Sequence, residues 1–129
     1  MSGNRLRVAD RVPHMLEAAE NIRSDIGSLS QEHFLIDGKT QRAVIEGIIV
    51  IGEAANKIMS LDSSIEKMNP ALWQQFRDAY DMRIVLTHEY FRVDPAIVWN
   101  TVQNHLPQLV NLLLAFVAEY DAGNVPLGQ

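Results

Sequence analysis

An arginine, a histidine and a tyrosine share one short stretch of this chain, Asp81-Met82-Arg83-Ile84-Val85-Leu86-Thr87-His88-Glu89-Tyr90. Their types suit acid–base cleavage of a phosphodiester. Breaking RNA without a metal requires a base for the 2′-hydroxyl proton, a cation for the crowded phosphate and an acid for the leaving 5′-oxygen. An imidazole, with an ordinary pKa of about 6.5, exchanges protons near neutrality, and a planar guanidinium fork holds two phosphate oxygens. Arg83 and His88 are of the types that such a step would use. The plainer readings are that Arg83 pairs with Asp81 or Glu53, that His88 merely ends a helix, and that Tyr90 seals the end of that helix as an ordinary amphipathic side chain.

The element carrying these residues reads as a buried helix. Leu72, Phe76, Ala79 and Leu86 form an inward ridge, and Arg83, two turns after Phe76, interrupts it with a cation that apolar periodicity does not call for. Asn69-Pro70 supplies this helix with an N-cap and a first-turn proline, and Asp94-Pro95 repeats the device for the last helix. Further back, Val12, Met15, Leu16, Ala19, Ile22 and Ile26 make one apolar stripe from about Asp10 to Gly27. Ser30 looks like the cap of a short turn through Leu35, closed by Asp37-Gly38.

A central helix from about Lys39 to Ser60 carries Val44, Ile45, Ile48, Ile49, Val50, Ile51, Ala54, Ala55 and Ile58, more than one stripe, so it is expected to be buried on more than one side. Gly47 and Gly52 inside it each cost roughly 0.5–1 kcal/mol relative to alanine, which points to a close helix approach. The last helix buries Val98, Val102, Leu106, Leu109, Val110, Leu113, Phe116 and Val117, and Pro107 should kink it by removing one backbone hydrogen bond. The expectation is an all-α fold, an up-and-down bundle of four main helices plus a short one, in a single domain over 1–129 with a flexible tail from about 121.

Composition narrows the function classes. The chain has 129 residues, 47% of them hydrophobic, enough for one compact core. It contains no cysteine, which removes disulfide scaffolds, thiolate catalysis and cysteine-ligated metals. His14, His33 and His105 show no paired metal spacing and read as structural or surface groups, so no metal or cofactor is expected. The N-terminus lacks an apolar signal core and no apolar run is long enough to span a bilayer, which leads to the expectation of a cytoplasmic protein without membrane contact. The net charge of −5 argues against broad attraction to nucleic acid. A focused cleft, or two chains pooling their arginines, would be needed instead.

The spacing Arg-x-x-x-x-His-x-Tyr from Arg83 to Tyr90, continued by Phe91, Val93-Asp94-Pro95, Ile97-Val98 and Trp99, resembles the signature of the HepT-like toxins of the HEPN superfamily. Arg42-Ala43-Val44 and the segment Ile49 to Ala55 are similar to the central helix of that family, and Leu106-Pro107-Gln108-Leu109 to its last. With His33-Phe34-Leu35 the likeness covers roughly residues 10 to 120.

The resemblance implies a HEPN-like homodimer that acts as an endoribonuclease toxin of a HepT/MntA system with type II/VII character. It implies an RNA substrate, Arg83 and His88 as catalytic residues, and neutralisation by an MntA-like nucleotidyltransferase antitoxin. In HepT-like proteins that partner modifies the matching tyrosine, here Tyr90, with AMP. One departure stands out: family members usually carry a polar residue, often asparagine, directly after the arginine, and this chain has Ile84. Two other readings follow from the same residues, a catalytically weak or inactive helical subunit that partners a nucleotidyltransferase, and a plain helical dimerisation or adaptor domain. Residues five apart on an ideal helix are about 140° apart around its axis, so Arg83 and His88 of one chain would not converge. A two-fold axis that brings two copies together would gather both pairs into a shared cleft.

Overall fold

The fold is seen in a computed structural model that describes residues 2–89 and 92–124. Long apolar stripes produce long helices: α1 over Ser2–Ile26, α3 over Gly38–Leu61, α5 over Pro70–Glu89 and α7 over Leu106–Asn124. Short helices α2, Gln31–Phe34, α4, Ile65–Met68, and α6, Pro95–Asn100, occupy the connections, and a π-helical turn, Thr101–His105, joins α6 to α7. Among the described residues there is no strand, and no helix is long and apolar enough to cross a membrane. The expected all-α, up-and-down bundle of four main helices is the observed one.

The central element is α3, packed extensively against α1 on one side and α5 on another, with α7 closing the bundle against α1 and α5. Its buried residues, Val44, Ile48, Ile51, Ala54, Ala55 and Ile58, meet Val12, Met15, Ala19 and Ile22 of α1 and Leu72, Phe76 and Leu86 of α5 in one core. Phe34 of α2, fully buried, stacks at a tilt on Trp99 with ring centroids 5.3 Å apart. The caps fall where side-chain chemistry puts them. Asn69 Oδ1 accepts from the Leu72 amide at 3.1 Å, Asp94 Oδ1 from that of Ala96 at 2.9 Å, and Ser30 from that of His33.

Several boundaries differ from expectation. Helix α1 starts at Ser2 rather than near Asp10 and runs through Pro13, because Val8 extends the buried stripe backwards and its burial outweighs the proline. Asp37 closes the preceding turn, its amide donating to the Phe34 carbonyl at 3.2 Å, and also caps α3, its side chain accepting from the Thr40 amide at 3.1 Å. Helix α4 is a single turn that buries Ile65, too short for periodicity to reveal. At Pro107, where a kink is expected, the structure has a π-helical turn: the Leu106 amide donates to Thr101, five residues back, immediately before the residue that cannot donate at all.

The ends of α1, α3 and α7 are tied together at one pole. The Tyr120 hydroxyl donates to Asp62 Oδ2 at 2.8 Å, and the Arg5 guanidinium lies over the Tyr120 ring, 4.2 Å from its centroid, while donating to the Tyr120 carbonyl at 2.9 Å. Asn4 adds a bond to the Leu61 carbonyl at 3.1 Å. Burial pushes the Asp62 carboxyl up, but hydrogen bonds from Ser64 and Tyr120, with Arg5 nearby, outweigh it and hold the group below its ordinary value of 3.8. Burial and the Asp62 carboxylate push the Tyr120 phenol up to about 12.

The signs follow from linkage. Asp62, depressed in the folded state, contributes stability above its unfolded pKa that is lost as pH falls through the folded value, below about 3.8. Tyr120, raised, contributes stability below pH 10 that is lost as pH climbs towards 12. Tyr120→Phe is expected to cost about 0.5–1.5 kcal/mol, the net worth of one hydrogen bond, and to flatten the loss of stability on the alkaline side. Urea unfolding at pH 7 and between pH 9 and 11 measures both; an unchanged alkaline slope would show that Tyr120 does not titrate as part of this latch.

Candidate active site

Arg83 is seated where α5 comes closest to α3. Gly52 allows the approach, since a Cβ on it would stand 2.6 Å from the Ala79 carbonyl oxygen and collide with the Arg83 stem. Gly47 performs the same task on the other side of α3, where a Cβ would stand 2.6 Å from Ile22 Cγ1 of α1. The two glycines are thus the close-approach points that the sequence suggested.

The Arg83 side chain is 27% exposed, and its Nη2 forms an ion pair with Glu53 Oε1 of α3, the residue next to Gly52. Its Nε is enclosed with no hydrogen-bond partner among the described residues. The Tyr80 ring lies 5.9 Å from the guanidinium carbon, at the outer limit of a useful cation–π contact. Of the two counter-ions open to Arg83 from the sequence, Glu53 is the one it takes. Asp81, on the exposed side of α5, forms no ion pair with it.

His88 stands on the last turn of α5, exposed to solvent. Its Nδ1 is 2.9 Å from the Ile84 carbonyl oxygen. A carbonyl can only accept, so Nδ1 carries the proton and donates it, which leaves Nε2 with a lone pair when the ring is neutral. Thr87 Oγ1 lies 3.3 Å from the same Nδ1 and bonds back to the Arg83 and Ile84 carbonyls at 2.9 and 3.1 Å. The last turn of the helix therefore holds the imidazole in one orientation.

Arg83 and His88 do not converge within one chain. The arginine turns inward to α3 and the histidine outward, and no hydrogen bond or ion pair joins their side chains. Ile84 and Val85, 36% and 44% exposed, flank His88 on the outer face of α5. Tyr90, the expected AMP acceptor, and Phe91 lie outside the described residues. A cavity of about 260 Å³ opens on another flank of α5, lined by Gln75, Asp78, Ala79 and Met82 together with the π-helical turn, and neither Arg83 nor His88 borders it. It is the chemistry of the side chains, not the size of the cavity, that marks the candidate site.

The family model for "Ribonuclease HepT-like" matches residues 15–116, spanning both Glu53 on α3 and the whole Arg83–Tyr90 segment. The chain belongs to the HepT-like ribonuclease family. Among the relatives of this HepT-like chain is "Probable ribonuclease HepT" of Thermococcus cleftensis, 35% identical over 100 residues that make up 78% of this chain and 86% of the relative. A "Putative RNase" of Caldanaerobacter subterraneus subsp. tengcongensis is 30% identical over 96 residues, 74% of this chain and 81% of the relative. A longer relative, "Gamma-glutamylcyclotransferase and putative RNase" of Methanocaldococcus jannaschii, is 33% identical over 109 residues, 84% of this chain but 46% of that protein. No solved structure matches the chain.

Sequence reasoning named Glu53 only as a possible counter-ion and did not single out Thr87. The position of Glu53 directly after a helix-interior glycine was the available signal. The seat can be tested by filling it. Gly52→Ala regains about 1 kcal/mol of helix propensity but incurs overpacking of about 1–3 kcal/mol, at the upper end because the Ala79 carbonyl is backbone and cannot rotate away. A net loss of about 1–2 kcal/mol, and a melting temperature lower by several degrees, is expected in thermal denaturation followed by circular dichroism. Gly47→Ala should cost less, since the Ile22 side chain can repack. A Gly52→Ala variant as stable as the parent would show that the helices are not held this closely.

Proposed function

We propose that this HepT-like chain is an endoribonuclease that cleaves RNA without a metal, acting as a homodimer in which the Arg83 and His88 pairs of two chains share one cleft. The observation that carries this reading is His88, an exposed residue whose Nδ1–H is tied to the Ile84 carbonyl, which leaves the lone pair on Nε2. In that state Nε2 takes the 2′-hydroxyl proton, and the imidazolium so formed is the right species to protonate the leaving 5′-oxygen. Arg83 supplies the phosphate clamp. Family membership and the ribonuclease names of the relatives support the same chemistry.

Ile84 and Val85 support the dimer, because they expose apolar surface on both sides of the imidazole and a second copy would cover it. The biological role that fits is a toxin of a HepT/MntA system, held in check by an MntA-like nucleotidyltransferase. Ile84 occupies the position where the family usually has a polar residue, and its exposure fits a packing role at that contact better than an orienting one.

The decisive experiment is cleavage of RNA in excess chelator by protein shown to be dimeric by light scattering. His88→Ala should lose about 10²–10⁴ in rate with helix content intact, and Arg83→Lys should also be impaired, because an ammonium cannot reproduce the planar fork. Equal activity of both variants and the parent would remove these residues from the mechanism, and a monomeric, fully active parent would remove the shared cleft. A parent that binds a nucleotidyltransferase but does not cleave would favour the inactive binding subunit.

Control is proposed to act at Tyr90, two residues beyond His88, where an AMP group would bring bulk and negative charge to the mouth of the cleft and repel an entering phosphate. Incubation with ATP, magnesium and the cognate nucleotidyltransferase is expected to add AMP to the parent and not to Tyr90→Phe. Mass spectrometry that locates AMP on Tyr80 or Tyr120 alone would reject Tyr90 as the acceptor.

A further inference from the structure

Arg83 is constrained at successive points along its length. Cβ and Cγ rest on the α3 backbone at Gly52, Nε is enclosed with no hydrogen-bond partner among the described residues, and Nη2 is paired with Glu53. The first two contacts fix the stem but leave the last torsions free to swing the fork. Tyr80, at the outer limit of a cation–π contact, holds it weakly. Among the described residues, Glu53, 51% exposed at its side chain, is the ion-pair partner that sets the direction in which the guanidinium faces.

A guanidinium has five N–H donors, and a carboxylate that engages Nη2 leaves the hydrogens of Nη1 for a phosphate oxygen. The two anions need not exclude each other. A phosphate clamp is effective when its fork is in place before the substrate arrives, because misplacement by about 1 Å can cost of the order of 10²-fold in rate. An arginine without its tether would have to be ordered during the reaction, against the rotamer entropy of its long side chain.

We propose that Glu53 is a positioning residue, which aims the Arg83 fork at the scissile phosphate without touching the RNA. This rests on the ribonuclease reading above. It predicts a division between kinetic constants that loss of stability alone would not give. In the full chain, Glu53→Ala should lower kcat about 10-fold or more while KM stays level or falls, since a negative charge beside the phosphate site is also removed. Glu53→Gln, which keeps an oxygen to accept from Nη2, should recover most of the lost kcat. The opposite reading, Glu53 as a competitor that masks Arg83, predicts that both variants gain in kcat/KM, and that result would overturn the proposal.

A second measurement does not depend on catalysis. The Arg83 Nη2–H signal in nitrogen-15 NMR, assigned by its loss in Arg83→Lys, should be sharp and slow to exchange in the parent and in Glu53→Gln, and broadened in Glu53→Ala. If the parent fails to cleave RNA, the ribonuclease reading fails while this signal still reports on the tether. An identical Arg83 signal in the parent and Glu53→Ala, or an unchanged kcat in an active parent, would show that Glu53 does not position Arg83.

Discussion

The approach of α5 to α3 at Gly52 is the contact on which the candidate site depends. It determines that Arg83, at a position of α5 that periodicity assigns to the core, lies on helix backbone and not among side chains. The aliphatic stem is thereby removed from water while the charged end reaches Glu53 near the surface. The arrangement has a local cost: an enclosed Nε–H with no partner among the described residues forfeits roughly 1–3 kcal/mol of hydration. A hydrophobic residue would avoid that cost, and stability gives no reason to prefer arginine. Departures from the local rules of folding tend to coincide with sites of function, and this one falls inside the part of the chain that the family model matches.

The opposite placement of the two polar groups has electrostatic consequences. Glu53 offsets the charge of Arg83, so a single chain of net charge −5 presents no strongly positive surface at this site. His88, in contrast, is held by its own helix. Its orientation comes from the last turn of α5, where the Ile84 carbonyl has a second lone pair for Nδ1–H and Thr87 Oγ1 lies beside the same nitrogen. The arginine depends on tertiary packing and the histidine on local structure, so a change that loosens the bundle would disturb the first well before the second.

Much of this was legible in the sequence because it is periodic or local. The apolar stripes of α1, α3, α5 and α7 have helical spacing, and the caps at Ser30, Asn69 and Asp94 need only their own turn. The glycines announced close packing but not its partners, since Gly47 against Ile22 and Gly52 against Arg83 require the relative placement of three helices. The choice of Glu53 over Asp81 was hidden for the same reason: it depends on which face of α5 meets α3. Pro13 concealed the first two turns of α1, and α4 offered too few residues to show a period. Pro107 signalled a fault in the backbone ladder, but whether a kink, a break or a π-helical turn resulted depended on how Val102 and Leu106 could both stay buried.

The Tyr120 latch also decides where additions to the chain would go. Arg5 and Tyr120 touch each other and Asp62 stands at the C-terminal end of α3, so the outer ends of α1 and α7 leave the bundle side by side. Helix α5 begins near that pole and carries His88 away from it by 18 residues, roughly 27 Å at 1.5 Å per residue. An affinity tag, a fluorescent protein or a second domain attached at either end would therefore depart from the pole opposite the imidazole. Such an attachment would leave the outer face of α5 open, and two attachments on one chain would be held close together. The latch thus makes this bundle a suitable module for fusion at either terminus.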